Sequence, residues 1–261
     1  MNLSLKGKTA VVCGSTQGIG LASAIELSKL GATCVLLARN EEALKQAIEK
    51  LNHFYEQQHS YLVADFDNPE TVKKVIEGFV ANNPVHVLVN NSGGPAGGPI
   101  TEAKEEDFLN TFNRHLVCNH ILTKAVIPSM KKEGFGRVIN IISTSVKIPL
   151  PNLGVSNTIR GAVASWAKTM ANELGQFNIT VNNVLPGATK TQRLESIISN
   201  NANKKSVAVD EIEKEMQKEI PMKRFASAEE IANVVAFLSS PAASYVNGVS
   251  IPVDGGRTGA I

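Results

Sequence analysis

The sequence predicts an α/β fold built on one doubly wound parallel sheet. Short apolar segments alternate with segments of helical periodicity along the whole chain, with no separating linker and no internal repeat. Several of the short segments are apolar throughout, which is typical of parallel strands covered by helices on both faces. A glycine-rich turn joins the first strand to the first helix, as in dinucleotide-binding sheets. We therefore expect a single Rossmann-type domain over residues 1–261, with about seven strands flanked by helices.

The elements follow from periodicity and from the turn residues that bound them. The predicted strands are Thr9–Cys13, Thr33–Leu37, Tyr61–Ala64, Val85–Asn90, Arg137–Ile142, Thr180–Leu185 and Ser250–Val253. The predicted helices are Ile19–Leu30, Glu41–Leu51, Pro69–Ala81, Glu105–Met130, Val155–Leu174 and Ala228–Ser239.

The composition and net charge of the chain argue against several classes of protein. A net charge of +2 without a long run of Lys or Arg makes no case for a nucleic-acid partner. No apolar stretch is long enough to span a membrane, and the N-terminal segment 1–8 lacks the apolar core of a signal peptide, so we expect a cytoplasmic protein without a membrane partner. The three cysteines are far apart and without a C-x-x-C pair, and the histidines lack ligand partners, so no metal site is expected.

The glycine-rich turn is a candidate pyrophosphate site. Glycines let the backbone approach the phosphates, and the helix N-terminus supplies free N–H donors and the positive end of its dipole. The cofactor-binding residues predicted here are Gly14, Ser15, Thr16, Gln17, Gly18, Ile19 and Gly20.

The ends of the following strands should converge on the same crevice, because ligands of open α/β sheets bind beyond the carboxyl ends of strands. After the second strand, Ala38 stands where a carboxylate would bind the ribose of NAD, and Arg39 suits a 2′-phosphate. We therefore predict a preference for NADP(H) over NAD(H). The third and fourth strand ends add the predicted cofactor-binding residues Asp65, Phe66, Asn91, Ser92 and Gly93.

Taken in order, these motifs resemble the short-chain dehydrogenases/reductases, and particularly the branch that includes 3-oxoacyl-carrier-protein reductases. The resemblance covers nearly the whole chain. It rests on Gly14–Gly20, Asp65, Asn90–Gly93, Asn140–Ser143, Pro186–Thr191 and Val253–Gly256, with Ser92 replacing the usual Ala. It implies that Pro186, Gly187 and Thr191 also bind the cofactor, and that the substrate is a small carbonyl or acyl compound.

The catalytic set implied by the resemblance departs from the family pattern of Asn, Ser, Tyr and Lys. Ser143 matches the Ser, whereas His115, Ser156 and Arg160 stand at the positions of Asn, Tyr and Lys. A Ser hydroxyl is a far weaker acid than Tyr, yet it donates hydrogen bonds. Arg160 keeps the positive charge, and its planar fork could hold ribose hydroxyls or an anionic substrate group. His115 either titrates near neutral pH or is a core histidine.

Two larger-scale features follow from the same resemblance. The polar segment 192–220 corresponds to a mobile helical lid over the substrate, with an ordinary solvated insertion as the alternative. The segments Glu105–Met130 and Val155–Leu174, which carry Phe108, Phe112 and Trp166, correspond to helices that pair between subunits in the family. Together with the C-terminal strand region Gly248–Gly256, they lead us to expect a homotetramer.

Three functions remain open at this stage. The first is an NADP(H)-dependent oxidoreductase of carbonyl or alcohol groups with a modified proton donor. The second is a nucleotide-binding sensor or assembly partner without hydride transfer, because Tyr and Lys are absent. The third is a lyase or isomerase step on the same scaffold.

Overall fold

The fold is described from a computed structural model that places residues 1–260; Ile261, the last residue of the predicted domain, lies outside the described part. Seven strands form one parallel sheet, in the spatial order β3-β2-β1-β4-β5-β6-β7. The order reverses between β1 and β4, which opens a crevice at their carboxyl ends. The strands are β1 (Thr9–Cys13), β2 (Thr33–Ala38), β3 (Ser60–Val63), β4 (Val87–Asn90), β5 (Gly136–Ile141), β6 (Ile179–Pro186) and β7 (Ser250–Val253).

Helices cover both faces of the sheet, as the uninterrupted apolar strands predict. One side carries α1, α2 and α9, and the other carries α3, α5 and α6. The helices are α1 (Gly18–Lys29), α2 (Glu41–Ile48), α3 (Pro69–Val80), α4 (Glu105–Phe112), α5 (Cys118–Glu133), α6 (Gly154–Leu174), α7 (Gln192–Lys205), α8 (Val209–Lys218) and α9 (Ala228–Ser239).

The predicted architecture is confirmed, and most element bounds shift by one or two residues. The largest difference is in the predicted helix Glu105–Met130, where the five-residue π-helical turn Asn113–Val117 separates α4 from α5. Such turns are concentrated at functional sites. The second helix also ends at Ile48 rather than at Leu51. Within residues 1–260, none of the helices combines the length and the apolarity that a membrane crossing requires.

Candidate active site

The glycine turn between β1 and α1 is tightly packed against the end of β4. Gly14 has a φ of +56° and Gly18 a φ of +54°, a region that side chains rarely adopt. A Cβ on Gly20 would stand 2.2 Å from the Gly14 carbonyl oxygen. Asn91, one residue beyond β4, donates from Nδ2 to the carbonyls of Cys13 and Gly14, each over 3.2 Å. The turn therefore has room for a ligand's phosphates and none for side chains.

The N-terminus of α1 is free to bind an anion. Gln17 occupies the N-cap position without a capping hydrogen bond from its side chain, and the first turn of α1 contains no acidic residue. The first N–H groups of the helix and its positive dipole end are therefore uncompensated. The hydroxyl of Ser15, fully buried beside them, has no hydrogen-bond partner. An orphaned buried donor and an uncapped helix fit a bound pyrophosphate, so the residues present match a dinucleotide cofactor.

The ends of β2 and β3 line the same crevice. Ala38 closes β2, and the exposed Arg39 that follows forms no ion pair within residues 1–260. Asp65 accepts a hydrogen bond from the backbone N–H of Asp67 over 3.0 Å, which shapes the turn after β3. Phe66 is buried beneath that turn. Arg39 is therefore free for an anionic ligand.

His115 lies in the π-helical turn and hydrogen-bonds Ser92 across the site. Its Nδ1 is 2.7 Å from the Ser92 hydroxyl oxygen, so two of the four departures from the family pattern form a pair. Burial, with the positive charges of Arg160 and Arg114, lowers the pKa of His115 to about 2. The ring is therefore neutral at pH 7, and the expectation that it titrates near neutral pH is corrected. The alternative of a core histidine fits better, and its clearest partner is the Ser92 side chain.

Ser143 and Arg160 both lie at the carboxyl end of β5, and Ser156 precedes Arg160 by one turn of α6. Ser143 accepts a hydrogen bond from the Ser145 N–H over 3.1 Å, which leaves its own O–H free to donate. Ser156 and Arg160 lie one turn apart on the same face of α6. The Nη1 of Arg160 donates to the carbonyl of Ile141, at the end of β5, over 2.9 Å. This bond joins α6 to the strand that Ser143 follows.

Arg160 carries its charge in a buried position. Its side chain is 8% exposed, and its Nε has no hydrogen-bond partner. Burial and, to a smaller extent, the nearby positive charge of Arg193 together lower the pKa of Arg160 to about 10. The group remains protonated at pH 7, because that pH lies well below this value.

The loop after β6 also borders the glycine turn. Gly187 packs against Asp254, where a Cβ would approach the Asp254 Cβ to 2.7 Å. Thr191 caps α7 by accepting the Leu194 N–H over 3.4 Å. Its Cγ2 would lie 3.3 Å from a Cβ on Gly18, so the loop reaches the glycine turn. Pro186, the last residue of β6, directs the chain into this loop.

The sequence analysis did not single out Arg193. This residue lies in the first turn of α7, and its Nη2 donates to the carbonyl of Pro95, in the loop after β4, over 2.5 Å. No motif marks the position. The signal that identifies it is spatial, because α7 and the loop after β4 are about 100 residues apart in the chain.

Comparisons with known proteins agree with this geometry. The family model described as enoyl-(acyl carrier protein) reductase matches residues 14–258. The NADPH-dependent reductase BacG of Bacillus subtilis is 32% identical, over 95% of this chain and 97% of its own. The 3-oxoacyl-[acyl-carrier-protein] reductase FabG of Pseudomonas aeruginosa is also 32% identical, over 97% and 98%. This chain belongs to the short-chain dehydrogenase/reductase family.

Solved structures place the short-chain dehydrogenase/reductase fold over the whole chain. The L-sorbose reductase of Gluconobacter frateurii, solved with NADPH and L-sorbose, matches with a TM-score of 0.93 and 31% identity, and all of both chains is covered. As a member of this family, the protein is an NAD(P)-dependent oxidoreductase of C=O and CH–OH groups. The alternative of a homologue without hydride transfer is not favoured, since these relatives are reductases.

Proposed function

We propose that this short-chain dehydrogenase/reductase reduces the carbonyl group of a small-molecule substrate and prefers NADP(H) to NAD(H). The observation that carries the proposal is that Ser143, whose O–H is free to donate, follows the strand end to which the buried cation Arg160 is hydrogen-bonded. In the bound state NADPH supplies the hydride. Residues Gly14–Gly20 hold its pyrophosphate, and Asp65, Phe66, Asn91, Ser92, Gly93, Pro186, Gly187 and Thr191 line the rest of the crevice.

The chain's own side chains have separate roles in the reduction. Ser143 and Ser156 donate hydrogen bonds to the carbonyl oxygen, which polarises the carbonyl group. Arg160 stabilises the negative charge that develops on this oxygen, and this effect is strong because the guanidinium is buried. Arg160 also lies where it can bind the nicotinamide ribose, as the family resemblance implies. The proton comes from water, since neither a serine nor a protonated arginine is a good acid near pH 7.

His115 is a positioning residue in this scheme. A neutral ring with a pKa of about 2 does not supply a proton at pH 7. Its bond to Ser92 instead holds the loop after β4 against the π-helical turn.

The catalytic assignment is tested with alanine variants assayed against a panel of ketones and 3-oxoacyl compounds with NADPH. Loss of an oxyanion hydrogen bond costs about 10²–10³ in kcat, so Ser143→Ala should slow turnover by that order. Thr144→Ala, one residue further along, is the matched control, because Thr144 is buried in the adjoining turn and has no role in the scheme. An unaltered rate in Ser143→Ala overturns the assignment.

The cofactor preference is tested by fluorescence titration with NADPH and NADH. A charged contact from Arg39 to the 2′-phosphate contributes about 1.5–3 kcal/mol, which corresponds to roughly tenfold or more in affinity. Arg39→Asp should remove the preference. Lys50→Asp, an equal charge change at an exposed site after α2, should leave it intact. Equal affinities for the two cofactors in the unmodified protein would contradict the proposal.

The region 192–220 is proposed to act as the substrate lid. It contains α7 and α8, which pack around a small apolar cluster of their own, separate from the two sheet cores. Leu194, Ile198 and Ile212 belong to this cluster. A unit with its own core can move relative to the sheet without exposing the main core. Slower trypsin cleavage within 192–220 when NADPH is bound would support lid closure.

A further inference from the structure

Within the part of the chain that the structure describes, the positive charge of Arg160 has no negative partner. No carboxylate lies within ion-pairing distance of its guanidinium among residues 1–260. One donor of the side chain binds the Ile141 carbonyl, and Nε is buried without a partner. Burial of a charge is costly unless it is paired, so an isolated guanidinium this deeply buried indicates a ligand that completes it.

Arg193 brings a second positive charge to the same place. The Nη2 atoms of Arg160 and Arg193 lie 3.9 and 3.8 Å from the position of a Cβ on Gly94, so the two cations approach the same side of this residue. Arg193 also forms no ion pair within the described chain, although Glu195 lies in the same turn of α7. Its one hydrogen bond goes to a neutral carbonyl, that of Pro95.

Two like charges repel each other, and an anion bound between or beside them offsets the cost of holding them close together. A guanidinium presents parallel N–H donors whose spacing matches the two oxygens of a carboxylate. Gly94 lacks a side chain at this point, and a Cβ there would meet only these two nitrogen atoms within 4 Å. The space in front of the arginine pair therefore suits a small planar anion.

We propose that Arg160 and Arg193 bind the carboxylate of the substrate, so that the preferred substrates are small oxo acids. The proposal rests on the proposed function, because it places the reducible carbonyl beside Ser143 and Ser156. It also explains why the site has Arg where the family has Lys. The planar guanidinium of an arginine can bind the carboxylate of an oxo acid with two hydrogen bonds. The ammonium group of a lysine acts only as a point charge. Because Arg193 lies on α7, its binding of the carboxylate would couple substrate binding to movement of the lid.

The first test compares 2-, 3- and 4-oxo acids with their methyl esters, which keep the carbonyl and lose the negative charge. With NADPH present, kcat/KM should be at least tenfold higher for one or more acids than for the matching esters. In Arg193→Gln this acid-to-ester ratio should fall at least tenfold, and Arg193→Lys should restore part of it. Lys204→Gln, an equal charge loss at the exposed far end of α7, should keep the ratio.

The second test measures binding without turnover. Calorimetry with the NADP⁺-loaded protein and a saturated carboxylate that lacks the oxo group should show binding that weakens at least tenfold in Arg193→Gln and persists in Lys204→Gln. The other possible source of the anion is the cofactor's own phosphate. If Arg193→Gln weakens NADPH binding as much as carboxylate binding, the arginine pair serves the cofactor and the inference is overturned.

The outcomes separate the inference from the function on which it rests. Reduction of neutral ketones as efficiently as oxo acids would overturn the inference and leave the reductase function standing. Carboxylate binding that depends on Arg193, without reduction of any carbonyl compound, would confirm the anion site and refute the proposed reaction.

Discussion

His115 shows how the surroundings of a side chain set its charge. It is 1% exposed, and the pKa of the ring is lowered to about 2 by burial and then by the charges of Arg160 and Arg114. In the unfolded chain the pKa of a histidine returns to about 6.5. Between these two values the unfolded state binds more protons than the folded state, so the free energy of unfolding falls as the pH decreases from about 6.5 toward 2.

His115→Asn should therefore reduce the loss of stability in acid. By linkage, the histidine costs about 2–3 kcal/mol of unfolding free energy at about pH 4.5 relative to neutral pH, and the variant lacks this cost. Urea unfolding of both proteins between pH 7.5 and 4.5 measures the difference. Some dependence should persist, because the pKa values of His59 and His86 are also lowered by burial. Parallel stability curves for the two proteins would show that the ring is not held neutral.

Gly20 is the residue where the backbone tolerates least change. A Cβ there would meet the Gly14 carbonyl oxygen at 2.2 Å and the Asn91 Nδ2 at 2.8 Å, and both atoms belong to the packed cofactor turn. Gly20→Ala should therefore weaken NADPH binding by tenfold or more and lower the melting temperature. Gly78→Ala, in α3 with open space around its Cα, should do neither, and alanine favours the helix. Fluorescence titration and thermal unfolding of both variants provide the comparison.

At the scale of elements, four strands are joined by a ladder of side-chain amides. Asn90 on β4 donates to Asn140 on β5 over 2.9 Å, Asn140 donates to Asn183 on β6 over 3.0 Å, and Asn183 donates to Ser250 on β7 over 3.0 Å. These residues are also paired in the parallel register of the sheet. The ladder starts near the carboxyl ends of β4 and β5 and reaches the first residue of β7, so it ties together the half of the sheet that carries Ser143.

Asn140→Val removes the middle of this ladder. It removes the partner of one amide N–H of Asn90, whose Nδ2 keeps only its longer bond to Thr123, and it removes the donor to the buried amide oxygen of Asn183, at about 1–3 kcal/mol for each group. Chemical denaturation should therefore show a loss of roughly 2–6 kcal/mol. Ile139→Val, the neighbouring buried residue, should cost only about 0.5–1.5 kcal/mol. A smaller loss in Asn140→Val than in Ile139→Val would mean that the amide ladder does not stabilise the sheet.

At the scale of the whole molecule, exposed apolar side chains on α4 support assembly. Leu109 is 63% exposed and Phe112 39%, on the segment that corresponds to an intersubunit helix in the family. Trp166, the residue named on the other such helix, is partly buried against the protein's own core, so it contributes less to an outer surface than its sequence position implied. Of the two helices, α4 therefore supports the proposed homotetramer more than α6 does.

We expect a tetramer of the 27.9 kDa chain by light scattering at micromolar concentration. Leu109→Glu with Phe112→Glu should shift the mass toward smaller species, because charges at the centre of an interface are left desolvated. Phe54→Glu, at another exposed aromatic after α2, is the control and should keep the tetramer. A monomer in the unmodified protein would refute the assembly.

Periodicity and motif order were sufficient to predict the sheet, the flanking helices, the glycine-rich turn after β1 and the family. These are local properties: a buried parallel strand must be apolar on both faces, and a pyrophosphate turn must contain glycine at particular steps. Periodicity did not predict the π-helical turn Asn113–Val117, because such a turn barely changes the spacing of apolar residues along a helix.

The charges of the site were decided by tertiary structure. Arg193 approaches Arg160 only because α7 folds back over the loop after β4, and His115 is neutral only because burial and two arginines surround it. A residue's type sets which charges it can carry. Its solvation and its neighbours, which come from distant parts of the chain, set which charge it does carry and what that charge can bind.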